Sequence, residues 1–238
     1  MAIFNTVYGG EWKWKPWANT IAYYPLTSTS TTSDMSWNWY TLSKSWSGNT
    51  AFWNYWWISC LYIEKSATYY SAITTVSASG GLTMNIWYYS LNTPQYDNAG
   101  IIWTNNTNPV TTNDNRCVSI IHANGRPNNK YWIVWYVDDS LNTTTTTTTY
   151  NITNWSWHNL CFTFVGTTWI LYVDWVQIWT LTKTMWYDQQ NYLCISKKTK
   201  DYDRSIRWYV SNAIFESKTR TVQEVSDYYN KTKSNYWL

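Results

Sequence analysis

The stretch that most constrains this chain is Trp155–Trp179, WSWHNLCFTFVGTTWILYVDWVQIW. From His158 to Val165 it alternates, with Leu160, Phe162 and Phe164 on one face and Asn159, Cys161 and Thr163 on the other, the period-two signature of a strand. Gly166-Thr167-Thr168 supplies a turn, Trp169–Val173 alternates again, and Asp174-Trp175 marks a second turn. A two-residue hairpin turn of type I′ needs positive φ at both central positions, which favours Asp-Gly or Asn-Gly. Trp175 stands at the second of them, where a bulky side chain is sterically penalised.

The same conflict recurs along the chain. There are 21 Trp and 8 Gly in 238 residues, whereas average usage predicts about 17 Gly. Trp37 and Trp39 lie in DMSWNWY, Trp56-Trp57 in NYWWIS, and Trp12, Trp14 and Trp17 in GGEWKWKPWAN, all turn contexts that favour glycine. The pattern is that of UGA codons which the source reads as glycine and which are rendered here as tryptophan. Replacing most of them restores an ordinary glycine content. On this reading Trp155 and Trp175 are glycine positions, whereas Trp87 and Trp157 fall inside strand patterns and are genuine; Trp169 stays open.

Length and charge bound the function. The chain is long enough for one large β domain. Charged residues make up 13% and the net charge is +3, with no basic run of the kind that binds nucleic acid. No apolar run reaches the length of a membrane span. The N-terminus, MAIFNTVYGGEWKWKP, lacks the apolar core of a signal peptide, so export by another route is expected, such as assembly into a particle. Cys60, Cys117, Cys161 and Cys194 show no metal-binding spacing; four buried thiols or two disulfides are both compatible with their positions.

In chain order, residues 1–18 read as an arm and 19–238 as the domain. Strands are expected at Thr20–Leu26, Tyr40–Lys44, within Ala51–Ile63, and at Leu82–Tyr89, Gly100–Thr104, Cys117–His122, Tyr131–Val137, Asn191–Ser196 and Trp208–Glu216, besides the hairpin. The tract of seven Thr at 143–149 has no packing pattern and reads as a solvated loop or edge. Thr221–Lys231 is the one helical stretch, with Thr221 and Glu224 at capping-box spacing and Val222, Val225 and Tyr229 as its apolar face. Many short strands ending in one short helix predict an all-β fold, a two-sheet antiparallel jelly-roll sandwich with a short C-terminal helix.

Four of these segments carry a resemblance. WHNLCFTFVGTTWILYVDWVQI resembles the Trp-His strand and following Tyr-Val-Asp-Gly turn of laminin-G-like, concanavalin A-like domains, with the family's glycine falling on Trp175. TIAYYPLTSTSTTSDMSWNWYTL resembles the family's opening strand and Asp-x-Ser-Gly-x-Gly turn, with the glycines on Trp37 and Trp39; LTMNIWYY and SNAIFESKTRTVQEVSDYYN resemble its core strand and its closing strand and helix. A single such domain with a short arm also resembles, in architecture, phage structural and host-recognition proteins. The resemblance implies a surface-display or adhesion module on a virion or in an extracellular assembly, bound to cell-surface glycans or glycoproteins, attached to a larger particle through residues 1–18, and open to homo-oligomerisation.

The candidate chemistry is sparse. Sugars favour an aromatic platform beside amide or carboxylate groups, which points to Tyr96, Asp97 and Asn98 in one loop and to Tyr187, Asp188 and Gln189 in another, both placed at one rim; a glycine at Trp186 weakens the second. Calcium, which the resemblance allows, needs several oxygens, and Asp138 with Asp139, or Asp201 with Asp203, are the candidates. A glycoside hydrolase needs paired carboxylates, and no two Glu fall at strand spacing. Around His122 and His158 no Ser/Asp arrangement for nucleophilic catalysis is evident. The expected function is therefore non-catalytic binding, with a ligand-free structural subunit of a capsid, tail or filament as the alternative.

Overall fold

The computed structural model describes residues 18–26, 32–45, 49–55, 58–64, 68–78, 80–91, 99–106, 117–124, 130–136, 144–147, 155–184, 189–196 and 208–238. Its strands are β1 (Thr20–Tyr24), β2 (Ser43–Ser45), β3 (Asn49–Tyr55), β4 (Ile58–Glu64), β5 (Thr68–Ser77), β6 (Leu82–Ser90), β7 (Ala99–Asn105), β8 (Cys117–Asn124), β9 (Lys130–Tyr136), β10 (Thr144–Thr147), β11 (Trp157–Val165), β12 (Thr168–Val173), β13 (Val176–Thr182), β14 (Gln189–Ser196) and β15 (Trp208–Glu216). Helix α1 (Val222–Thr232) and a 3-10 turn, Lys233–Tyr236, close the chain.

Two antiparallel sheets form the predicted jelly-roll sandwich. One runs β13-β12-β11-β6-β15-β4-β3, with β1 also paired to β15; the other runs β10-β9-β8-β7-β14-β5-β2. The core lies between them. Leu82, Met84, Ile86 and Tyr88 of β6 and Leu160, Phe162 and Phe164 of β11 meet Ile102, Val118, Ile120, Leu193 and Ile195 of the facing sheet. Each fully buried side chain of this kind contributes about 1.5–3 kcal/mol.

The first sheet is covered on its other face as well. Trp87, Tyr89, Trp157, Tyr209 and Ile214 pack under Tyr228 and Tyr236, which α1 and the 3-10 turn bring across the sheet. This second layer explains why β11 is buried from Trp157 to Phe164 and not merely at alternate positions. The helix presents Val225 and Tyr228, buried, and Tyr229, half-buried and stacked on Trp87, to this layer, whereas Val222, expected on the same face, is exposed. The capping box is present, with the Glu224 N–H donating to the Thr221 hydroxyl and the Thr221 N–H donating back to Glu224.

The opening hairpins form where expected, with Val165↔Thr168 paired across Gly166-Thr167, a turn one residue shorter than expected, and Val173↔Val176 paired across Asp174-Trp175. Thr168 thus belongs to β12 and not to the turn. Asp174 and Trp175 have φ of 50° and 68°, the pair of positive values that a type I′ turn requires. Ala51–Ile63 resolves into the hairpin β3–β4, and the Thr tract supplies an edge strand paired with β9. Strand β5 was not expected: its Ser- and Thr-rich sequence masks a segment paired along most of its length with β14. Cys60, Cys161 and Cys194 are buried thiols outside any disulfide.

Candidate functional site

At one end of the helix-covered layer lies a cleft of about 350 Å³, built from four segments distant in sequence. Ile58 opens β4, Tyr89 lies near the end of β6, Trp155, Ser156 and Trp157 lead into β11, and Tyr236, Trp237 and Leu238 follow α1. Antiparallel pairing sets Trp157 opposite Tyr89, with ring centroids 5.6 Å apart. Tyr236 stacks on Trp87 at 3.9 Å and approaches Trp157 at 4.9 Å. Its hydroxyl donates to Ser211 Oγ and accepts from Asn212 Nδ2, and burial keeps the phenol well above its usual titration range.

The indole N–H of Trp157 is buried and has no hydrogen-bond partner among the described residues. Among the buried indole N–H groups in that condition, only this one belongs to a residue lining the cleft. A buried donor without an acceptor is costly unless something satisfies it. The cleft is thus lined by apolar ring surface, and one of its lining residues holds an unused buried donor, a pairing that suits a sugar.

Beside it the structure contains an arrangement that the sequence reading denied. Ser156 Oγ lies 2.9 Å from His158 Nε2, and His158 Nδ1 lies 2.7 Å from Asp174 Oδ2. Asp174 Oδ1 accepts the N–H of Asn159 at 2.8 Å, and the Asp174 N–H donates to the Asn159 carbonyl. A carboxylate only accepts, so Nδ1 donates to Asp174; in the tautomer with that single ring proton, Nε2 accepts from the Ser156 hydroxyl. The chain of bonds ties the Asp174-Trp175 turn to the start of β11 and fixes the hydroxyl of a cleft residue. Sixteen residues separate His158 from Asp174, and only the hairpin register brings them together.

Among the described residues the two glutamates near the helix form no glycosidase pair. Glu216 is fully buried and bonded to Arg220 Nε at 2.6 Å, while Glu224 is engaged by Lys218 and by the helix cap. The sugar candidates Tyr96, Asp97, Asn98, Tyr187 and Asp188 and the metal candidates Asp138, Asp139, Asp201 and Asp203 lie outside the described residues. Gln189 is described: it opens β14, exposed, opposite Ser77. The strand ends flanking the two sugar loops lie apart. Ser90 and Ala99 stand at the cleft end, whereas Thr182 and Gln189 stand at the end where β6 begins, since Phe164 pairs with Leu82 and Thr168 with Thr182. Among the described residues no cluster of His, Cys, Asp or Glu is arranged to hold a metal.

No protein-family model and no curated protein sequence matches the chain. Solved structures do. Domain 4 of AbnA, a GH43 extracellular arabinanase from Geobacillus stearothermophilus, solved in complex with arabinotriose, matches with a TM-score of 0.65 and 12% identity over 88% of this chain and 97% of that one. The botulinum neurotoxin serotype C1 binding domain matches with a TM-score of 0.67 and 12% identity over 90% of this chain and 52% of its own length. Botulinum neurotoxin type C, whose cell entry depends on interaction with two ganglioside molecules, gives 0.64 and 12% over 90% and 51%. The chain thus spans about half the length of the toxin chains. At such identity the likeness establishes the fold, and the class is that of jelly-roll β-sandwich domains, a class that includes binding domains.

Proposed function

We propose that this domain is a carbohydrate-binding module whose site is the cleft between Tyr89, Trp157 and Tyr236. The observation that carries the reading is the buried, unpartnered indole N–H of Trp157 set among aromatic rings beside the tethered hydroxyl of Ser156. A glycan supplies an apolar ring face for the aromatics and hydroxyl oxygens for the donor. The arabinotriose-bound and ganglioside-dependent neighbours are consistent with such a ligand. The domain acts at a cell surface, in an extracellular assembly or on a virion, and residues 1–18 are the segment we assign to anchoring.

A glycan array probed with the intact chain tests this reading. Binding that falls at least tenfold in Ser156→Ala and Trp157→Phe, with the fold retained by circular dichroism, is the expected result. An array with no signal, together with assembly into particles that depends on residues 1–18, replaces the reading with the ligand-free structural role.

A further inference from the structure

Two groups stand out among the described tryptophans. Trp87, Trp103, Trp157, Trp169 and Trp208 are buried in strands, none with positive φ. Trp169, left open by the sequence, belongs with them: its ring packs edge-on to Phe162 and Phe164, and its N–H donates to the Lys183 carbonyl. Trp39, Trp155, Trp175 and Trp237 all have left-handed backbone, with φ of 59°, 69°, 68° and 64°, and are 78%, 64%, 46% and 61% exposed. Burial and backbone conformation are independent quantities, yet they sort these nine residues the same way; Trp37 and Trp53, exposed with ordinary φ, stand outside both groups.

The four also occupy turns or a cap, where left-handed backbone favours glycine. Trp175 is the second residue of a two-residue turn. Trp237 is the left-handed cap of the 3-10 turn, its N–H donating to the carbonyls of Lys233 and Ser234, the position where helices most often end in glycine. Trp39 closes the turn around Asp34, whose carboxylate accepts the N–H groups of Tyr23, Ser36 and Tyr40. Trp155 is a turn residue, one position before the Ser156 that leads into β11. A bulky L residue avoids this region of backbone space, and glycine enters it freely.

We infer that these four positions are glycine in the native protein, encoded by a UGA codon that its source reads as glycine, and that the native cleft is in consequence an open groove. Trp155 and Trp237 supply the exposed rings at its rim. Without them Tyr89, Ser156, Trp157 and Tyr236 are reached along a continuous surface, a shape that admits a segment within an oligosaccharide chain and not only a terminal ring. The codon half stands on the backbone alone; the groove half rests on the glycan reading above.

The experiment is a variant carrying Trp39→Gly, Trp155→Gly, Trp175→Gly and Trp237→Gly together, compared with the chain as translated here and with Trp87→Gly and Trp208→Gly. The fourfold variant is expected to melt at least 5 °C higher and the two buried-site variants to melt lower or fail to fold. A lower melting temperature for the fourfold variant overturns the codon half, as does peptide mass spectrometry of the native protein that finds tryptophan at 155, 175 or 237. On an array of oligosaccharides graded in length, the fourfold variant is expected to bind internal segments that the translated chain does not. If it is stabilised but gains no such ligand while the translated chain binds terminal sugars, the groove fails and the codon assignment survives. If neither binds any glycan, the glycan reading and the groove both fail.

Discussion

The link between the last strand and the helix contains a buried ion pair, and breaking it gives a quantitative test of how the cleft wall is held. Arg220 Nε lies 2.6 Å from Glu216 Oε2 with both side chains fully buried. The guanidinium sits 4.8 Å from the Tyr228 ring centre, and the Arg220 N–H donates to Thr83 on β6. Burial pushes the Glu216 carboxyl up, with Arg220 pulling it part of the way back; Glu216 in turn keeps the guanidinium charged against its own desolvation. Arg220→Met leaves a carboxyl buried without its cation, which costs about 3–5 kcal/mol, and Glu216→Leu leaves the converse charge at a similar cost. For a chain of this size each kcal/mol shifts the melting temperature by about 2–4 °C, so either variant is expected to melt roughly 6–20 °C lower. The double variant Glu216→Leu/Arg220→Met removes both charges and is expected within about 1 kcal/mol of the parent, or above it.

The pH dependence separates this from a packing defect. Without Arg220 the Glu216 carboxyl rises further above its unfolded value. A raised acid contributes its stability fully below the unfolded pKa and loses it as pH rises through the folded one. The deficit of Arg220→Met is therefore expected to grow with pH above the ordinary carboxylate range, and the double variant is expected to lack that extra slope. Urea denaturation followed by far-ultraviolet circular dichroism at a series of pH values measures both. Single variants that each cost under about 1 kcal/mol, or a double variant that costs the sum of the singles, refute the reasoning.

Other groups give further expectations. Thr221→Ala removes the helix cap and is expected to cost about 1 kcal/mol, read as a shift in the denaturation midpoint. Burial raises the Glu224 carboxyl, but hydrogen bonds from Lys218 and Thr221 outweigh it and hold the group below its ordinary range. A depressed acid stabilises above its unfolded pKa and loses that as pH falls through the folded one, so the melting-temperature gap between the parent and Glu224→Gln should close in acid; the group is partly solvated and the gap is small. Asp174→Ala strips acceptors from His158 and the Asn159 N–H and is expected to cost about 1–3 kcal/mol, with faster amide exchange at Asn159 as the local readout. Asp34→Ala, which abandons the backbone donors of Tyr23, Ser36 and Tyr40, is expected to cost at least as much by the same measurement.

What was legible in the sequence was whatever depends on neighbours within a few residues. The β11–β13 hairpins, the closing strand β15 and the capping box each announce themselves by period, turn residue or spacing. Strand β5 stayed hidden because its outward positions carry Ser and Thr, while Thr68 and Ser71, polar residues, are buried and blur the alternation. The helix face was read correctly at Val225 and Tyr229 but wrongly at Val222, and it missed Tyr228, which lies under Arg220 against the sheet. The cleft was invisible for a different reason. Its walls come from β4, β6, β11 and the C-terminus, so no local pattern marks it, and Ser156, His158 and Asp174 meet only once the register of β11 against β12 is fixed. Backbone conformation then adds what neither composition nor spacing supplies. Positive φ singles out Trp39, Trp155, Trp175 and Trp237 and spares Trp37, exposed in the same turn as Trp39 and suspected on the same grounds. The turn demands glycine at one of those two positions and tolerates a side chain at the other, so Trp37→Gly is expected to leave stability within about 0.5 kcal/mol, whereas Trp39→Gly gains about 1 kcal/mol by releasing the left-handed strain. Equal effects at the two sites would mean that the φ values do not locate the glycine requirement.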